Sequence, residues 1–215
     1  MTTFPKTLID RFAQFKSGEF KDIAARYEKL ANEGQKPEVM VISCCDSRCT
    51  PESIFAALPG DLFVVRNVAN LVPPFEGGDQ INTYHGVSAA LEFAVLNLEV
   101  SHVVIMGHAR CGGVQASLAG GAPVETEAKF ISRWIGLLDE PRNRLRTEYP
   151  NATNEDLQSK LEYEGVKSSL RNLRSFPFVA EREKNGKLAL HGACFDIATG
   201  DLEVYDPDSG DFNSL

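Results

Sequence analysis

The chain has 215 residues, of which 43% are hydrophobic and 24% charged, with a net charge of −8. That size and mixture suit one soluble globular domain with a core large enough to fold without staples, and they exclude a disordered chain. The acidic balance argues against nucleic acid as a main partner, since phosphate contacts need clustered Lys and Arg. No apolar run approaches a membrane span, and residues 1–6 lack the basic-then-apolar pattern of a secretory signal. Five cysteines are present, at 44, 45, 49, 111 and 194. An odd number, with three of them inside six residues, does not suit a disulfide framework. Reduced thiols that bind metal or act chemically fit better, which predicts a reducing, cytoplasmic setting.

Residues 6–33 read as helix with a break at Gly18, because Leu8, Phe12 and Phe15, then Ile23, Ala24, Tyr27 and Leu30, recur at helical spacing. Gly34 closes the segment. Val39-Met40-Val41-Ile42 is a short apolar run, expected as a buried parallel strand. Pro51 and Glu52 open a short helix over 51–57. Leu62-Phe63-Val64-Val65 is a second strand, ending at Arg66-Asn67, and 70–79 is loop, with Pro73, Pro74, Gly77 and Gly78. Residues 84–98 carry Val87, Leu91, Ala94, Val95 and Leu98 on one helical face. A third strand over 102–106 leads to Gly107-His108, and a helix over 114–119 follows Gly112-Gly113. Helical patterns continue over 127–138 and 154–174. Residues 188–195 and 202–205 alternate like strands about a Thr199-Gly200-Asp201 turn. The alternation predicts a single α/β domain over 1–215. Its central sheet is mostly parallel and flanked by helices, with an N-terminal helical arm and a C-terminal antiparallel edge. Ligands of such folds bind beyond the carboxyl ends of the strands.

Two motifs sit at those ends: Cys44-Cys45-Asp46-Ser47-Arg48 and His108-Ala109-Arg110-Cys111. Together they offer sulfur and imidazole donors, with a carboxylate and a guanidinium close by. Three protein ligands with an open fourth position are the set of a catalytic zinc, whereas structural sites close all four. His108 and Cys111 lie three apart on a turn, so both can point at one centre. Adjacent Cys44 and Cys45 point to opposite sides, so only one of them faces it, and spacing alone does not choose. Inert buried cysteines and a core histidine are the blander alternative. The joint placement of three donors and a charged pair at two strand ends weighs against it.

These motifs resemble those of the β-class carbonic anhydrases. Gln35-Lys36-Pro37, Phe63-Val64-Val65-Arg66-Asn67-Val68-Ala69-Asn70 and Gly107-His108-Ala109-Arg110-Cys111-Gly112-Gly113 extend the likeness over about residues 34–120. The resemblance implies that Cys44, His108 and Cys111 hold one Zn²⁺ per chain, with Cys45 at a variable position. It implies a lyase that reversibly hydrates carbon dioxide to bicarbonate and a proton by zinc-bound hydroxide. Two thiolates cancel the charge of Zn²⁺ and should leave its water less acidic than neutral imidazoles would. Asp46 is therefore expected to orient the hydroxide by accepting its hydrogen bond, and Arg48 to hold Asp46 through two parallel N–H···O bonds. In some members the aspartate equivalent to Asp46 becomes a fourth zinc ligand and shuts the site. Such members carry a tryptophan three residues before the first zinc cysteine. That position here is Val41 and the sole tryptophan is Trp134, so the plant-like, open subclass is expected.

By the same resemblance Phe63 and Val68 line an apolar carbon dioxide pocket and Gly112 turns its amide to the substrate. Gln35 and Tyr84 would serve the site of a neighbouring subunit. An obligate dimer follows, with residues 1–33 as its arm and a tetramer or octamer left open, and with no nucleic acid or membrane partner. Three other readings compete: a carbon disulfide or carbonyl sulfide hydrolase on the same fold, a zinc-binding protein without catalysis, and a redox protein using Cys45 and Cys49. Asp46 and Arg48 argue against the second, and the lack of a Cys-x-x-Cys motif against the third. Cys45 and Cys49 read as small buried side chains, Cys194 as core and His102 as structural. His85 is a candidate proton carrier, and Arg142, Arg144 and Arg146 read as a solvated helix face.

Overall fold

The computed structural model describes residues 4–77, 85–120 and 129–215, in two compact units, Met1–Lys36 and Pro37–Leu215. In the first, α1 (Lys6–Ser17) and α2 (Glu19–Glu33) pack on each other across Gly18. Phe20 meets Phe15 edge-on at 5.7 Å and stacks on Tyr27 at 5.5 Å, with the Lys16 ammonium 3.6 Å from its ring centre. Aromatic and cation–π contacts therefore hold the corner. No residue of either helix is buried, and Phe4, Leu8, Ile9 and Phe12 are between 49% and 67% exposed.

The second unit contains β1 (Val39–Cys44), α3 (Pro51–Ile54), β2 (Leu62–Asn67), α4 (Gly86–Glu92), β3 (His102–His108), α5 (Gly112–Leu118), α6 (Lys129–Ile135) and α7 (Asp139–Glu148). It continues with α8 (Asn154–Arg174), α9 (Pro177–Lys184), β4 (Ala189–Phe195), β5 (Leu202–Tyr205) and β6 (Phe212–Ser214). The strands form one sheet in the order β2-β1-β3-β4-β5-β6. The first four are parallel and the last two antiparallel. The expected mostly parallel sheet with an antiparallel edge is thus present. No helix among the described residues is long and apolar enough to cross a membrane.

The apolar run of β1 is covered on both faces, with Met40, Val41 and Ile42 at 1% exposure or less, as a central parallel strand requires. Met40, Ile42, Val103 and Ile105 pack against Val166, Leu170 and Leu173 of α8. Each such buried aliphatic side chain contributes about 1.5–3 kcal/mol. The helix starts at a capping box: Thr153 Oγ1 accepts from the Asp156 amide, and Asp156 Oδ2 accepts from the Thr153 amide. It lies close on the sheet because two strand glycines leave room. A Cβ on Gly107 would meet Val166 Cγ2 at 2.8 Å, and one on Gly192 would meet Val166 Cγ1 at 2.9 Å and Tyr205 Cβ at 3.0 Å.

This topology also locates a crevice. From β1 the chain moves to β2 on one side, and then to β3 on the other. Such a reversal parts the carboxyl ends of the two strands between which it occurs, here β1 and β3. Ser43 lies opposite Met106 in their ladder, so Cys44, the last residue of β1, stands level with Gly107, one residue before the end of β3.

Several expectations need correction. The helix foreseen over 84–98 is α only to Glu92. Phe93–Asn97 then forms a wider turn, closed by the Leu98 amide on Phe93 O at 3.0 Å, because one extra residue enters the ring. The helix over 51–57 stops at Ile54, with Ala56 in the left-handed region at φ 47°. Arg142 is largely covered rather than solvated, and Arg146, although exposed, is also anchored to the fold. Arg142 Nη1 donates to Ser117 O at 3.0 Å and Arg146 Nη2 to Leu118 O at 2.6 Å, so they satisfy the last carbonyls of α5. Arg144 and Arg146 are exposed as expected, and Arg144 pairs with Glu140 and Glu164.

The crowding at Gly192 yields a test away from the crevice. Gly192→Ala should cost about 1–3 kcal/mol by forcing Val166 and Tyr205 apart, read as a lower urea midpoint. An unchanged midpoint would show that α8 can ride outward at no cost.

Candidate metal centre

The crevice gathers three donors. Cys44 ends β1, His108 ends β3, and Cys111 precedes the first turn of α5. All three are buried, and their donor atoms lie within 4.8 Å of one another. The two sulfurs are 3.9 Å apart. Zn–S bonds of about 2.3 Å at tetrahedral angles would separate them by roughly 3.8 Å. His108 Nδ1 lies 2.9 Å from Ala109 O. A carbonyl can only accept, so Nδ1 carries a proton and Nε2 is the nitrogen turned toward the sulfurs, the orientation seen in metal-ligating histidines. Nε2 is buried and lacks a hydrogen-bond partner within the protein, a costly arrangement unless an ion engages it. The residues therefore fit a zinc ion.

Electrostatics point the same way. Cys44 is lowered to about 4, chiefly because Cys111 donates to it; burial opposes this, and His108 and the amides of Asp46 and Ala69 assist. Cys111 is driven upward by the same contact with Cys44, and then by burial, although the amides of Val114 and Gly113 face its sulfur. Two sulfurs this close do not both ionise unless a cation lies between them. One of the amides that favour thiolate, that of Ala69, is aimed by unusual local geometry. Ala69 and Asn70 are both left-handed, at φ 63° and 48°, which costs roughly 1–2 kcal/mol per non-glycine residue. The turn is held from outside. Asn67 exchanges two hydrogen bonds with the Leu71 backbone, and Trp134 Nε1 donates to Val68 O at 2.8 Å.

Asp46 and Arg48 form the expected two-pronged pair beside the trio. Arg48 Nε donates to Asp46 Oδ1 at 2.9 Å and Nη2 to Oδ2 at 2.7 Å, and the Arg48 amide donates to Oδ1 at 3.0 Å. These contacts hold the Asp46 carboxyl well below the usual carboxylate range. Asp46 Oδ2 stands 4.0 Å from His108 Nε2, and Asp46 lies outside the three-residue donor group. A second guanidinium secures the backbone here. Arg66, at the end of β2, donates to Cys44 O at 2.9 Å and Asp46 O at 2.6 Å.

The remaining predicted residues are dispersed. Val68 packs into the cluster of Cys44 and Cys111, and its methyl fills the space where Gly113 would carry a Cβ, 2.7 Å away. Phe63 sits further back on β2, against Phe93 at 5.9 Å and the main core. Gly112 is exposed at the start of α5. Gln35 belongs to the first compact unit, and Tyr84 lies outside the described residues. Cys49 is fully buried, with its thiol pushed up to about 11 by burial, and Cys194 is buried and pushed up to about 12 for the same reason. Cys45 is exposed rather than buried: it is the first residue past β1, where strand alternation no longer applies. His102 meets His191 at 3.0 Å at the far, amino end of β3, and His85 lies 3.9 Å from Glu76.

Arg66, Trp134 and Glu162 were not foreseen as parts of this site. Arg66 had a signal, since a cation directly after a buried apolar strand must find acceptors. Glu162 had one too: it falls on the buried stripe of α8 with Leu161, Gly165 and Val166. Trp134 had none, because nothing local tells where a helix presents its indole.

The carbonic anhydrase family profile matches residues 39–202, more than half of the chain. Beta carbonic anhydrase 3 of Arabidopsis thaliana is 36% identical over 200 residues, which span 92% of this chain and 75% of that protein. Among solved structures, the β-carbonic anhydrase CcaA superposes with a TM-score of 0.88 over 98% of both chains at 29% identity. A β-carbonic anhydrase from the filamentous ascomycete Sordaria macrospora, described as tetrameric, reaches 0.77 over 92% of this chain and 94% of its own at 29% identity. The crevice, its donor trio and these likenesses converge: this chain belongs to the carbonic anhydrase family, within the β class.

Proposed function

We propose that the chain catalyses reversible hydration of carbon dioxide to bicarbonate and a proton, with one Zn²⁺ held by Cys44, His108 and Cys111. The observation that carries this reading is the buried, unpartnered Nε2 of His108 facing two sulfurs 3.9 Å apart. When bound, zinc supplies Lewis acidity that makes water nucleophilic near neutral pH. The chain's own residues do the rest. Asp46 is kept ionised by Arg48, so its oxygens only accept. Oδ2 takes a hydrogen bond from the O–H of the attacking water and turns the oxygen lone pair toward carbon dioxide. Arg48 fixes the carboxyl plane and keeps Asp46 away from the ligand trio, which favours the open, plant-like form.

Carbon dioxide is apolar and calls for an apolar pocket with few polar guides. Val68 and Phe63 supply side chains and Gly112 an amide, completed by Gln35 of the partner subunit and Tyr84 of the partner subunit. A pocket shared in this way makes the dimer the working unit of a single functional domain. Residues 1–33 act as its arm, and the exposed Phe4, Leu8, Ile9 and Phe12 offer an apolar surface for a second copy. The tetrameric Sordaria relatives support association. All five cysteines are free, in keeping with a cytoplasmic location. Nothing on the described residues favours carbon disulfide or carbonyl sulfide as substrate.

Three variants test the assignment by stopped-flow hydration assay and elemental analysis. Cys44→Ser should bind less than one zinc per chain. Asp46→Asn should keep its zinc and lose about a hundredfold or more in turnover, because an amide does not substitute for an acceptor-only group. Arg48→Lys should lose at least about tenfold, since an ammonium does not make the two-pronged contact. Wild-type turnover in either of the last two would refute the role given to the pair.

A further inference from the structure

The connector between the buried His108 and Cys111 is short and bent. Arg110, between them, sits in the left-handed region at φ 58°, a conformation disfavoured for a residue with a Cβ. Backbone amides tie it to the elements on both sides. On one side the Ala109 amide donates to Phe195 O of β4 at 3.0 Å. On the other, the Cys111 amide donates to Glu162 Oε1 of α8 at 2.8 Å. The same Glu162 oxygen accepts from Gln158 Nε2, one helical turn earlier, at 3.0 Å.

Glu162 is an odd choice for its place. It is 5% exposed and lies beside Leu161 on the stripe of α8 that packs under the site. A leucine would fill such a position at no polar cost, and a buried carboxyl is expensive unless it meets donors. The hydrogen-bond donors it meets are the backbone amides of Cys111 and Arg110 and the Gln158 carboxamide, not a cation. What a carboxyl provides here and a leucine does not is an acceptor that reaches the Cys111 backbone.

We propose that Glu162 is a positioning residue for the metal centre: its Oε1 pins the Cys111 amide, and through the two-residue connector it aims both Cys111 Sγ and His108 Nε2 at one point. The inference rests on the reading of Cys44, His108 and Cys111 as zinc ligands. Outer groups that orient ligands in this way commonly change metal affinity by about 10–100-fold when removed.

The test uses the full-length chain, Zn²⁺ with a competing chelator, and Co²⁺ as a spectroscopic probe. Glu162→Leu keeps the packing and removes the acceptor. It should bind zinc at least about tenfold more weakly and shift the sulfur-to-cobalt charge-transfer band, while circular dichroism and the thermal midpoint stay near wild type. Glu162→Gln keeps an acceptor oxygen at the same reach and should restore affinity to within about threefold and return the cobalt spectrum. Glu162→Asp draws the acceptor back by one methylene and should weaken zinc binding even if the leucine variant does not fold. Wild-type affinity and spectrum in the Leu or Asp variant would overturn the proposal, and so would a Gln variant as impaired as Leu. Failure of the wild-type chain to bind zinc or cobalt would instead overturn the ligand reading beneath it.

Discussion

Like charges crowded into a buried space set the terms for this protein. Two sulfurs 3.9 Å apart, at the bottom of a crevice and flanked by an ionised carboxylate, would repel one another as a pair of thiolates unless positive charge intervenes. Much of the surrounding structure reads as an answer to that repulsion. Backbone amides face both sulfurs, guanidiniums grip the nearby carboxyl and carbonyls, and the one ring nitrogen that faces inward has no protein partner. The left-handed residues at 69 and 70 make sense in these terms, since strain that aims an amide at a sulfur is recovered in the charge it stabilises.

Topology decides where this happens. The reversal between β1 and β3 opens a cleft whose walls are two rigid strand ends, and the parallel ladder sets their relative height. The three donors are therefore placed by backbone register, with loops contributing only the last residue or two. The shells behind them are divided by charge. Arg66 takes carbonyls on the β1 side and Glu162 an amide on the β3 side, so each ligand-bearing segment is held by the kind of group its backbone offers.

Much of this was legible beforehand. The strands announced themselves because parallel strands buried on both faces must be unbroken apolar runs, as Val39–Ile42 is. The helix over 154–174 is legible because its apolar stripe is a local signal. The donor trio was readable because cysteine and histidine at strand ends have few other reasons to cluster, although choosing Cys44 over Cys45 needed the family likeness. Other features depended on contacts distant in sequence. Arg142 and Arg146 look like surface cations until the carbonyl end of α5 is placed beneath them. Nothing near Leu98 announces that Phe93–Asn97 widens into a looser ring. The brevity of β6, three residues long, put it below any periodicity.

The donors that meet in the crevice are far apart along the chain: Cys44 and Cys111 are separated by 67 positions. They come together only through non-local parallel pairing, the slowest kind of contact to form. An unfolded polypeptide of this sequence thus presents no preassembled chelate, unlike a zinc finger whose ligands are near neighbours. On the zinc reading proposed above, such an ion would join an assembled scaffold rather than seed it.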